Sequence, residues 1–179
     1  ETYSRLAEKK NSTLLLLEEN LVDSVWQDQP PLPTTPVIVH GIQYAGMTVS
    51  EKLMQVRQQL DEHNCQYLVI NDLDSIAWLY NIRGTDIDYN PLTISYAIIG
   101  NEQTTLFINP DKLSTEVVEH LEQYSIQQAP YDQFAHHLAQ LQGVVWIDPN
   151  IASIWMRLQL KNAEMHFQPS PIKLMKAVK

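Results

Sequence analysis

Apolar residues recur at helical spacing at Val49, Leu53, Val56 and Leu60, and the spacing assigns Lys52, Gln55, Gln59 and Glu62 to the opposite side. Thr48 followed by Glu51 forms a capping-box pair, so a helix is predicted over 48–63. Tyr67 to Ile70 is a short apolar run that reads as a buried strand, and Asp72 or Asp74 can cap a short helix through Ile76, Trp78 and Leu79. Ile94 to Ile99 and Thr104 to Ile108 are β-rich runs joined across Gly100-Asn101, which predicts an antiparallel hairpin. Helices follow over 114–124, starting at Ser114, and over 132–141, with Phe134, Leu138 and Leu141 on one stripe. Strand 144–147, a helix over 151–160 and a short edge strand at Met165 to Gln168 complete the pattern. Ser170 before Pro171 is a strong helix start.

Upstream, residues 3–10 read as a helix, Thr13 to Leu17 as a short strand and Asn20 to Trp26 as one or two helical turns. Pro30, Pro31, Pro33 and Pro36 then interrupt any helix or central strand, before a candidate strand at Val37 to Val39. Strands alternating with helices imply parallel pairs and the hairpin implies an antiparallel one. The expected fold is therefore α/β, with a mixed sheet of about six strands flanked by helices. The expected organisation is a tail of a preceding domain over 1–26, the α/β domain over 27–169, and over 170–179 the start of a helix leading into a further domain. Both ends look cut, which marks the sequence as a piece of something longer.

Composition narrows the function. Twelve Lys and Arg against 21 Asp and Glu give a formal net charge of −9 with no basic cluster, so nucleic acid and anionic membrane surfaces are poor partners. No apolar run approaches the ~20 residues that cross a bilayer. A single cysteine, Cys65, permits no internal disulfide and favours a cytoplasmic compartment.

Candidate chemistry is sparse. The six histidines contain no H-x-x-x-H pair, and the adjacent His136 and His137 point about 100° apart on a helix. Asp86, Asp88 and Asn90 imitate the start of a calcium loop, but Pro91 stands where the sixth-position glycine belongs and Ala97 where the bidentate Glu belongs. No phosphate-cradling glycine loop and no nucleophile elbow is present. The polar stretch from Asn81 to Pro91, between two apolar elements, is the placement in which α/β domains carry binding groups.

Leu73-Asp74-Ser75-Ile76-Ala77-Trp78-Leu79-Tyr80-Asn81-Ile82-Arg83-Gly84-Thr85-Asp86, with Asn90-Pro91 and Ser95-Tyr96-Ala97, closely resembles the middle domain of three-domain Xaa-Pro aminopeptidases (aminopeptidase P). Asn20-Leu21-Val22-Asp23, Trp26, Pro30-Pro31, Pro171-Ile172-Lys173 and Lys176-Ala177-Val178-Lys179 extend the likeness over roughly Asn20 to Lys179. The resemblance implies a creatinase/prolidase-type amino-terminal fold with a mixed six-stranded sheet. It also implies a parent enzyme that removes the residue before proline, using two divalent metal ions, usually manganese, held by two Asp, a His and two Glu on a separate catalytic domain. None of those ligand motifs matches a position here, so the implied role is non-catalytic: to shape the active-site rim and orient neighbouring domains. The implied partners are the preceding and catalytic domains, peptides with proline second and a second copy of the chain in a homodimer. A free-standing scaffold module of the same fold is the alternative. The rim candidates are Arg83, Gly84, Thr85, Asp86, Asn90 and Pro91, with no catalytic or metal residue expected in this sequence. Arg83 is expected to be partly exposed or paired locally with Asp86 or Asp88, and Gly84 to permit a turn closed to other residues.

Overall fold

The computed structural model describes residues 2–15, 17 and 20–177, without the side chains of Thr2 and Ser4. The chain divides into two compact units, Glu1–Leu32 and Pro33–Lys179. In the first, helix α1 (Thr2–Lys9) ends at Asn11, whose backbone turns left-handed at φ 52°. The strand expected at 13–17 does not form at residues 13–15 or 17, while Leu16 lies outside the described residues. An apolar run without a neighbouring strand has no ladder to join. Asn20 to Trp26 makes turns, closed by Val25 N–H on the Val22 carbonyl at 3.1 Å, and no helix.

The second unit holds the sheet. Six strands run in the order β6 (Ile126–Ala129), β5 (Thr104–Phe107), β4 (Tyr96–Gly100), β2 (Tyr67–Ile70), β7 (Gly143–Ile147) and β8 (Ala163–Phe167). β2–β4 and β4–β5 are antiparallel, whereas β2–β7, β5–β6 and β7–β8 are parallel. This is the mixed six-stranded sheet expected, with one exchange of membership. The Val37–Val39 run does not enter it. Instead β1 (Ile38–Val39) pairs with β3 (Ile82–Arg83) in a separate ribbon, with Ile38 opposite Arg83 and Val39 opposite Ile82. Its place is taken by β6, whose sequence Ile-Gln-Gln-Ala shows no strand pattern because, as an edge strand, it buries little beyond Ile126.

Alternation along the strands separates two cores. Leu68, Ile70, Ala97, Ile99, Leu106 and Trp146 face one side, beneath α3 (Val49–Glu62), α4 (Leu73–Leu79), α5 (Thr115–Gln123) and α8 (Pro171–Ala177). Val69, Ile98, Phe107, Val145 and Ile147 face the other, beneath α6 (Phe134–Gln140) and α7 (Ile154–Gln159). The capping box of α3 forms as expected, Thr48 Oγ1 accepting from the Glu51 N–H and Glu51 from the Thr48 N–H. The assignment of Lys52 to its solvent side is wrong: Lys52 is 1% exposed. Asp72 stands at the N-cap position of α4 without a side-chain capping bond, because its carboxylate takes the Ser75 hydroxyl and faces Lys176 3.7 Å away. α8 is part of the core rather than an outgoing connector alone, since Ile172 is fully buried and Lys173 and the Ser170 N–H both bond Asp148 Oδ2.

Candidate functional site

The segment from Asn81 to Ser95 leaves α4, forms β3 and returns to β4. Asn81 takes a left-handed backbone, φ 51°, and its side-chain amide donates to the Met47 carbonyl at 3.0 Å, which fixes the sharp exit from the helix. Beyond Arg83 the loop closes on itself: Gly84 N–H reaches the Pro91 carbonyl, Asp86 N–H the Leu92 carbonyl and Asn90 N–H the Ile87 carbonyl.

Asp86 anchors this loop. Its carboxylate, with no exposed side-chain surface, pairs with the equally buried Lys112 ammonium and accepts from Thr35 Oγ1 at 2.6 Å, Thr93 Oγ1 at 3.0 Å and the Ile94 N–H at 2.7 Å. Burial opposes the charged form, but Lys112 and these donors outweigh it and hold the carboxyl below its ordinary value. Asp86 is thus a structural tether, unavailable to a ligand, and this corrects its place among the rim candidates. Gly84 is required for a different reason from the one expected. Its φ is not positive; a Cβ there would lie 2.7 Å from the Thr93 Cβ and 3.1 Å from the Leu92 carbonyl oxygen. Gly84→Ala should therefore force the two strands of the loop apart and cost about 1–3 kcal/mol, readable as a shifted urea midpoint.

Thr85, Asn90 and Pro91 are exposed, and between them Tyr89 stands wholly in solvent on a left-handed backbone, φ 62°. The tethered loop thus carries Tyr89 at its exposed tip. Nothing in the hydrophobic pattern marked Tyr89 as its most prominent group.

Arg83 does not pair with Asp86 or Asp88. It is half-buried, and its Nη1 donates to the Ala77 and Ile82 carbonyls, both at 2.8 Å. Beside it, Lys52 Nζ reaches in from α3 to the Trp78 carbonyl at 2.8 Å and Asn81 Oδ1 at 2.5 Å, 4.5 Å above the Trp78 ring. Burial, and then repulsion from Arg83, push the Lys52 ammonium down to about 8. His40, whose N–H continues the ribbon by bonding the Asn81 carbonyl at 2.7 Å, is lowered by burial and by both cations. The buried position of Lys52 was legible: it stands three residues after Val49 and four before Val56, on the stripe itself.

Among the described residues no group of three or more His, Cys, Asp or Glu side chains is placed to hold a metal ion. The residues here do not fit a two-metal centre. No described helix is long and apolar enough to cross a membrane.

A sheet of this order with helices on both faces has close counterparts. The model of the creatinase/prolidase N-terminal domain family matches residues 28–179. The chain belongs to that family. It is 35% identical over 173 residues to the Xaa-Pro aminopeptidase ApepP of Drosophila melanogaster, covering 93% of this chain and 28% of that protein. It is 45% identical over 132 residues to a probable Xaa-Pro aminopeptidase P of Aspergillus niger, covering 73% and 21%. The X-prolyl aminopeptidase of Caenorhabditis elegans, described as a cytosolic enzyme with a di-nuclear active site, superposes with a TM-score of 0.91 at 26% identity, over 99% of this chain and 30% of that one. The chain thus spans less than a third of the length of these relatives.

Proposed function

We propose that this chain is the non-catalytic middle domain of a Xaa-Pro aminopeptidase and that the loop from Arg83 to Pro91 forms part of the active-site rim. The observation that carries the reading is the match to aminopeptidases P over almost the whole chain but under a third of theirs, with no metal-ligand set among the described residues. Residues 1–26 would then close a preceding domain and α8 would lead toward the catalytic one. The parent would act in the cytoplasm on peptides with proline second, with two divalent ions, manganese by family precedent, on the catalytic domain. The C. elegans enzyme's cytosolic location and di-nuclear site support that picture.

Purified 1–179 should hydrolyse no Xaa-Pro peptide, with or without manganese, whereas the longer parent should. Arg83→Ala in the parent should lower kcat/KM about tenfold, or about 1.4 kcal/mol, with metal content unchanged. Turnover by the clean short chain would refute the domain assignment. Wild-type kinetics of the mutant on short and long peptides would remove the rim role. A gene encoding no metal-ligand domain would favour the scaffold alternative.

A further inference from the structure

In the β1–β3 ribbon, residues directly opposite one another put their side chains on the same face. Val39 and Ile82 pack inward, Ile82 being fully buried, so Ile38 and Arg83 share the outer face, with His40 one alternation further along. Arg83 spends both protons of Nη1 on backbone carbonyls, which locks the guanidinium plane. Its other edge, Nε with Nη2, donates to no described residue. That edge is a two-donor fork with the spacing of a carboxylate. The His40 ring nitrogens likewise bond no described residue, and Lys52 lies beneath on Trp78 with only neutral oxygen partners.

The charge balance is lopsided. The ion pairs among the described residues join Lys112 to Asp86, Lys173 to Asp148, and Lys176 to Asp72 and Asp74; none reaches His40, Lys52 or Arg83. In a chain of net charge −9, these three basic side chains have no acid paired with them among the described residues. Exposed apolar surface adjoins it: Ile38, opposite Arg83, is 62% exposed, and Tyr44, whose ring centroid lies 5.8 Å from that of His40, is 75% exposed. A positive fork in an apolar frame suits a charged group carried on an organic body, not a small hydrated ion.

We propose that the outer face of the β1–β3 ribbon is a receptor for one carboxylate on a peptide, gripped by the free edge of Arg83 beside His40, with Ile38 and Tyr44 holding the adjoining apolar part. The carboxylate can be a peptide's C-terminus or an acidic side chain. The inference rests on the rim reading only for its place in a larger enzyme; binding itself belongs to this chain.

The test is titration of 1–179, followed by the Arg83 Nε–H resonance and by tryptophan fluorescence. The probes are N-acetyl-leucine for the terminal carboxylate, N-acetyl-aspartic acid α-amide for the side-chain one, N-acetyl-leucinamide as the uncharged match and inorganic phosphate as a bare anion. At least one acid should bind saturably with a millimolar Kd, and whichever binds tighter identifies the source. Arg83→Gln should weaken it about tenfold or more. Because Lys52 is buried and its loss could unfold the chain, His40→Gln serves as the second variant, expected to weaken binding with an unchanged amide spectrum. The proposal is overturned if neither acid saturates below about 50 mM, if leucinamide or phosphate binds as well, or if Arg83→Gln binds like wild type. Binding without a kinetic effect in the parent retires the rim role alone; a kinetic effect without binding retires the receptor alone.

Discussion

Asp86→Ala is expected to be the most damaging substitution in the loop, at about 3–5 kcal/mol, because it strands the Lys112 ammonium, 2% exposed, with no carboxylate beside it. Thr35, Thr93 and the Ile94 N–H lose their shared acceptor in the same step. Asp86→Ala with Lys112→Met should recover much of the loss, since removing both charges leaves no uncompensated one. Urea denaturation of the wild type, the single and the double variant measures the coupling. A single-variant loss below about 1 kcal/mol would place the pair in effective contact with water. Acidity provides an independent check. The Asp86 carboxyl titrates below its ordinary 3.8 in the folded chain, so its contribution is full above that value and is lost as pH falls through the lower, folded one. The wild type should therefore lose more stability on going from pH 5 to pH 3 than the double variant does.

Leu79→Ala should cost about 2–5 kcal/mol. Leu79 has no exposed surface and belongs to the larger core, which also contains Val56, Leu60, Ile76, Tyr80 and Ile172. These residues come from three regions of the sequence, α3, α4 and α8, so the vacated space cannot be closed by moving one helix. A measured loss under 1 kcal/mol would show that α4 is peripheral to the fold.

Elements specified by neighbouring residues were readable from the sequence. Thr48 and Glu51 announced α3, Gly100-Asn101 announced the β4–β5 hairpin, and Ser170-Pro171 announced α8. What escaped reading depended on residues far apart in the chain. β6 is a strand because β5 offers it a ladder, not because Gln127 and Gln128 favour one. Asp86 became a tether only when folding brought up Lys112, 26 residues away. The candidate site divides in the same manner. The polar stretch is a loop only beyond Arg83, since Ile82–Arg83 pairs as β3 with distant β1, and its spacing could not distinguish the anchored Asp86 from the projecting Tyr89. Lys52 differs: its charge predicts exposure and its place on the helical stripe predicts burial, and burial prevails because carbonyls and an aromatic face receive the ammonium.

The position of β2 carries a kinetic consequence. β4, β5 and β6 follow one another within residues 96–129, and β7 and β8 within 143–167, so each half of the sheet can zip up over short loops. The halves join only where β2 slots between them, pairing Leu68 with Ile99 on one side and Trp146 on the other. The second of those pairings closes a far longer loop than any within either half, and it is a parallel one. Within this sheet the β2–β7 contact therefore carries the largest loop-closure cost, and it rests on a single four-residue strand.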